Sequence, residues 1–344
     1  MIGEINISSL DDVRSLLRKL PDSDQQSAEQ ATMREPKLTK PPGSLGRLEE
    51  LSFWLSSWQG MHPPQMENPL VLVFSGSHGI TEEGVSAYPA EVTAQMLANF
   101  YAGGAAVNQL SQAFGATLQA IDINVANPTK SFIREPAMSV SEFVDAFKRG
   151  MAAVDPNSDV VCIGEMGIGN TTVAAAICHT LNGSDAVQWV GPGTGVAGTA
   201  MEKKCRVVAM ARELYGKPGI DGLEVLRSIG GGELVAMAGA IISARIKRVP
   251  VVLDGYVSGA AAAALFAVAP TSLDHCIAGH VSAEPGHKLL LNKLGLEPLL
   301  DLNMRLGEAS GAAVALGILK AAVACHSGMA TFEDAGVSDK DNSV

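Results

Sequence analysis

The sequence predicts an α/β protein: an open, parallel, Rossmann-like sheet covered by helices, with a smaller helical domain built from both chain ends. Three observations predict it. From Pro69 onward, short apolar runs alternate with helical stretches, the pattern of strand–helix–strand units. Several of those runs stop at glycine or a small polar residue, where open α/β sheets build their ligand sites. Both ends of the chain carry apolar residues at helical spacing without intervening strands.

The N-terminal 60 residues read as largely helical, because Val13, Leu16, Leu17 and Leu20 share one helical face and Leu48, Leu51 and Leu55 share another. Between them, segment 38–47 carries Pro41-Pro42, Gly43 and Gly46, which disfavour regular structure and predict an extended excursion. Strands are expected at 70–74, 118–123, 159–163, 186–190 and 249–253. The candidate site is assembled from the loops after them: Ser75 to Gly79, Gly164-Glu165, Gly191 to Gly193 and Asp254-Gly255. After Glu284 the chain reads as mainly helical, and its end is expected beside the N-terminal helices. The division is therefore 1–60 plus about 305–344 for the helical domain and 61–304 for the α/β domain. The polar residues 338–344 are expected to fray.

A chain of 344 residues exceeds the usual size of one core, which suits this division. With 47% hydrophobic and 18% charged residues it can fill a core, and disorder is excluded. The formal charge of −11 opposes binding to a nucleic-acid backbone or an anionic membrane surface, leaving local basic pockets for small anions. Five dispersed cysteines without a CxxC pair support neither a disulfide framework nor a structural zinc site, so reduced thiols and a cytoplasmic location are expected. The N-terminus lacks the features of a secretory signal. The apolar stretches 256–270 and 311–325 are too short to span a bilayer and read as buried helices.

Segment 164–176 follows a predicted strand and opens an alanine-rich helix. Its backbone N–H groups and the hydroxyls of Thr171 and Thr172 suit a phosphate cradle, although neither a Walker A nor a GxGxxG pattern is present. A helix cap with closely packed glycines fits the same residues. Gly191 to Val196 is a second glycine-rich turn, followed by Lys203 and Lys204, either of which could meet an anion or stay at the surface. The turn Gly230 to Glu233 could approach a ligand or simply connect two elements.

Segment 304–313 reads as helix, placing Arg305 and Glu308 on one face. Glu308 is then either an intrahelical ion-pair partner or, once desolvated, a general base. His78, His280 and His287 lie near strand ends without an HExxH motif or nucleophile elbow, and read as satisfied structural residues. No metal site is indicated.

Six segments in order, LTKPPGSLGRLEEL (38–51), EGVSAYPAEVTAQM (83–96), GEMGIGNTT (164–172), LDG (253–255), SAEPGH (282–287) and MRLGEASGAA (304–313), give the chain a close resemblance to the nicotinate-nucleotide:dimethylbenzimidazole phosphoribosyltransferase family. The resemblance covers nearly the whole chain. It implies phosphoribose transfer from nicotinate mononucleotide to a cobamide lower-ligand base, in a dimer, with no cofactor or metal. By resemblance Glu308 is the general base and Glu165 and Lys204 are catalytic residues. Gly167, Gly169, Asn170, Thr171, Thr172, Ser282, Arg305 and Gly255 correspond to nucleotide contacts.

The chain departs from the family pattern at Gly76-Ser77-His78-Gly79, in the loop near Ala197 and at Gly279-His280-Val281. At the positions matching the acceptor pocket stand Tyr88, Met96 and Met166, an apolar wall with one hydroxyl that resembles the branch acting on phenol or p-cresol. The same three residues could instead pack the core. Two further readings are a silent homologous subunit in a heterodimer, with KPPGSLG crossing the interface, and a pyridine-nucleotide binding protein without transfer activity.

Overall fold

The computed structural model describes residues 6–193 and 195–338; Thr194 of the second glycine-rich turn and residues 339–344 of the polar terminus lie outside the described residues. Six parallel strands run in the order β2-β1-β3-β4-β5-β6: β1 Pro69–Ser75, β2 Thr117–Asp122, β3 Val160–Met166, β4 Val251–Leu253, β5 Cys276–His280 and β6 Pro298–Leu300. Every residue of β1 is buried, as a central strand covered on both faces requires, whereas β2 at the edge is exposed or half-buried.

Alternate side chains serve two cores. Leu70, Leu72, Phe74, Val161, Ile163, Val251 and Leu253 pack against the apolar faces of helices Val140–Ala153, Asn170–Asn182, Gly222–Ile229, Gly232–Lys247 and Tyr256–Val268. Val71, Val73, Cys162 and Val252 face the other way, onto helices Arg47–Gln59, Val92–Ala102, Ala106–Ala113 and Ser310–Gly328. The first helix, Leu10–Leu17, is started by a Ser9–Asp12 capping box and buries Leu10, Val13 and Leu17 in the first of these cores. The chain ends meet where Leu38 bridges Thr331 and helix Arg47–Gln59 packs on Ser310–Gly328.

The expected strands near 70, 118, 159 and 249 are present. The one expected at 186–190 is instead a 3₁₀ turn, Ala186–Gln188, and Trp189 buries itself beside that turn by donating its indole N–H to the Gly183 carbonyl at 2.9 Å. Two strands, β5 and β6, lie where none was expected. The first is short and ends in Gly279-His280, and the second begins with proline at the sheet edge, so neither presents a clean apolar run. Helix Ser310–Gly328 is longer than the apolar stretch 311–325. It is long and apolar enough to cross a membrane, yet it lays one face on the sheet and on Arg47–Gln59.

Candidate active site

A cavity opens at the carboxyl ends of β3, β4, β5 and β6. Glu165 and Met166 close the end of β3, and Gly167, Asn170 and Thr171 form the following loop and helix start. Gly255 opens helix Tyr256–Val268, Ser282 follows β5, and Arg305 lies in the segment after β6. These eight expected site residues therefore surround one space. Gly169 and Thr172 stand just behind it: Gly169 caps the helix at φ +94°, a left-handed conformation suited to glycine, and the Thr172 hydroxyl is buried without a partner among the described residues.

Arg305 and Glu308 do not share a helix face. The helix begins only at Ser310, and the preceding Gly307, Glu308 and Ala309 all have positive φ, at +85°, +63° and +61°. For two non-glycine residues this is strain held by the surroundings. The Glu308 N–H donates to the Glu165 carbonyl at 3.1 Å, which ties this segment to β3. Arg305, released from any intrahelical pair, donates through Nη1 to the Gly193 carbonyl at 2.9 Å.

The carboxylates are the electrostatic centre. Glu308 is 5% exposed, its Oε2 has no partner among the described residues, and burial followed by the charge of Asp254 pushes its pKa up to about 7. Glu165 is raised well above the usual carboxylate range, first by burial and then by Glu233 and Asp254, although the Asn170 amide donates to it. Lys204, at 1% exposure, extends from helix Thr199–Tyr215 and donates to Thr171 Oγ1 and to the Gly191 carbonyl, each at 2.9 Å. Burial, partly offset by Glu284, lowers its pKa to about 8. It remains a cation near neutral pH beside the loop that suits an anion.

The remaining acceptor-pocket positions separate. Met166 is on the cavity wall. Met96 is half-buried on helix Val92–Ala102, one turn beyond Thr93, whose hydroxyl accepts from the Ile168 N–H at 3.0 Å. Tyr88 is 52% exposed in the preceding loop and does not line the cavity.

Several buried polar residues sat in segments that the sequence marked but were given no role of their own there. Asp254 accepts from the Gly311 and Ala312 N–H groups at 2.7 and 3.0 Å, anchoring the start of the helix after Glu308. Glu233, in the turn that read as a possible connection, meets His78 at 2.5 Å between two fully or almost fully buried side chains. Glu284 Oε1 accepts from the Gly193 N–H at 2.9 Å. Of the three histidines read as satisfied, His287 Nδ1 accepts from Ser282 N–H and lies 3.0 Å from its hydroxyl, consistent with burial lowering its pKa to about 3. His280 corrects that reading: it lines the cavity, its Nε2 lies 3.5 Å from Asp254 Oδ1, and neither ring nitrogen makes a hydrogen bond among the described residues.

Open parallel sheet, glycine-rich helix start, a buried lysine, an exposed arginine and proton-hungry carboxylates together define an α/β protein built to hold an anionic ligand at its strand ends. The chain belongs to the phosphoribosyltransferase family, whose model matches residues 20–337. Nicotinate-nucleotide-dimethylbenzimidazole phosphoribosyltransferase of Rhizobium rhizogenes is 52% identical over 330 residues, 96% of this chain and 97% of the relative. The enzyme of the same name from Cereibacter sphaeroides is 54% identical over 331 residues, 96% and 98% of the two chains. CobT from Thermus thermophilus superposes with a TM-score of 0.87 at 40% identity, covering 92% of this chain and all of that one.

Proposed function

We propose that this chain transfers phosphoribose from nicotinate mononucleotide to dimethylbenzimidazole, giving an α-riboside phosphate and nicotinate. The observation that carries the reading is Glu308, a buried carboxylate next to Gly307 on the cavity wall, with one oxygen unpartnered among the described residues and a pKa of about 7, in a chain more than half identical to enzymes named for this reaction.

In this reading Lys204, Arg305 and the N–H groups around Gly167 to Thr172 hold the phosphate, and Gly255 and Ser282 border the ribose. The unprotonated imidazole nitrogen attacks C1′ from the face opposite the pyridinium. The C1′–N bond breaks, its electron pair returns to the ring as nicotinate leaves, and the configuration inverts from β to α. The other imidazole nitrogen becomes acidic as its partner is alkylated, and its proton passes to Glu308. A base whose pKa lies near the working pH is well matched to that step. Glu165, bonded to Glu308 through its backbone, positions the carboxylate.

A phenolic acceptor is the second reading, supported by Met166 on the cavity wall, while the exposure of Tyr88 weighs against it. The test is nicotinate release by the purified chain with dimethylbenzimidazole or p-cresol, with the product identified by mass spectrometry. Faster turnover of dimethylbenzimidazole supports the first reading and faster turnover of p-cresol the second. Silence with both would transfer support to the homologous-subunit reading.

A further inference from the structure

Glu284 has no part in the reaction as described, yet its side chain is 5% exposed and lines the cavity. One oxygen, Oε1, is engaged by the Gly193 N–H at 2.9 Å. The other, Oε2, is buried and has no hydrogen-bond partner among the described residues. The two cations nearby are committed elsewhere, Lys204 to Thr171 and the Gly191 carbonyl and Arg305 to the Gly193 carbonyl. Neither forms an ion pair with Glu284 among the described contacts. A buried carboxylate oxygen without a donor is costly, and structures seldom leave one that way unless a ligand completes it.

The chemistry of the ligand identifies the donor. Resting on the reading of nicotinate mononucleotide as substrate, its ionised phosphate and ring carboxylate accept hydrogen bonds only, and its pyridinium nitrogen is alkylated and has no N–H. The ribose hydroxyls are the donors that remain. We propose that Glu284 Oε2 accepts a hydrogen bond from a ribose hydroxyl and makes the site selective for ribonucleotides over their deoxy counterparts. Gly193 gives the carboxylate its orientation: its N–H holds Oε1 and so fixes the plane of a side chain on the cavity wall, with Oε2 packed beside Gly191. A site that buries a polar group for one hydroxyl rejects the analogue lacking it, because the group is then stranded.

The experiment compares kcat/KM for nicotinate mononucleotide and its 2′-deoxy and 3′-deoxy analogues, using wild-type chain and Glu284→Gln. Glutamine keeps an acceptor for Gly193 and replaces the free carboxylate oxygen with an amide donor. Wild type is expected to disfavour one analogue by about 10- to 100-fold, the scale of a hydrogen bond to a charged group. Glu284→Gln should lose most of that ratio, a change that a merely structural role would not produce. His280→Asn should leave it intact. Equal selectivity in wild type and Glu284→Gln, no selectivity in wild type, or loss only in His280→Asn would overturn the proposal. If wild type releases no nicotinate from the parent nucleotide, the catalytic reading fails separately, and calorimetric binding of the same three nucleotides then decides the role of Glu284.

Discussion

Replacing Glu308 by glutamine separates what this carboxylate does for turnover from what it costs the fold. The native state raises the Glu308 pKa from 4.5 to about 7 by burial and by the neighbouring charge of Asp254. A raised acid binds its proton more tightly when folded, so stability falls as pH rises from 4.5 to 7, and the whole cost is present above 7. At about 1.4 kcal/mol per pH unit between 4.5 and about 7 the ceiling is about 3.5 kcal/mol. Glutamine removes that cost at high pH and changes little where the acid is already neutral. With an unfolding entropy of about 0.7 kcal/mol/K for a chain of this length, Glu308→Gln should melt up to about 5 °C above wild type at pH 8. The advantage should shrink toward zero by pH 5. Turnover should fall about 10²- to 10⁴-fold, the usual loss of a general base, and the acid limb near pH 7 in the kcat/KM profile should disappear. Calorimetric melts at the two pH values and initial rates of nicotinate release measure both effects. A melting difference of the same size at pH 5 and pH 8, or turnover that survives the substitution, would refute the reasoning.

Two other substitutions probe the supports of this carboxylate. Gly307→Ala places a Cβ 2.7 Å from Glu165 Oε1 at φ +85°; left-handed strain alone costs about 1–2 kcal/mol, so a lower melting temperature and a reduced kcat are expected together. An unchanged melt and an unchanged kcat would show that the segment relaxes freely. Lys204→Met removes an ammonium whose pKa of about 8 means that wild-type affinity for the nucleotide should decline as pH rises through 8. The variant should raise the nucleotide KM about 10- to 100-fold and abolish that alkaline limb, which titration calorimetry across pH 7 to 9 would check.

The sheet was legible where strands are buried on both faces. In β1, Leu70 to Phe74 form an unbroken apolar run because neighbours cover both sides. The same signal misled at 186–190, where Val187 is 65% exposed and only Trp189 and Val190 are buried, through a turn with no strand pairing. Helical periodicity also failed at 304–309. Small residues flanking Arg305 and Glu308 imitate a helix start, whereas the backbone is bent through three positive φ angles by contacts to β3. Such conformations in non-glycine residues are imposed by tertiary structure and leave no trace in local propensity.

The site was legible as segments and not as pairs. Asp254 and Glu233 each sat in a turn that the sequence singled out, but their partners, Gly311 and His78, are 57 and 155 residues away. The consequence is electrostatic. Glu165, Asp254 and Glu308 hold protons more tightly than free carboxylic acids, first because each is buried and, for Glu165 and Glu308, also because neighbouring carboxylates repel their charge. Lys204 and Arg305 donate to carbonyls of the Gly191–Gly193 turn and to none of these carboxyl groups among the described contacts. A ligand spanning both regions meets cations at one end and proton-hungry carboxyl groups at the other. On the proposed reaction that polarity matches the donor nucleotide: its phosphate lies at the cationic end, and the positive charge that moves from pyridinium toward C1′ stays within the field of the carboxylates. The same field strengthens Glu308 as a base, so that binding the donor and accepting the proton draw on one arrangement of buried charge.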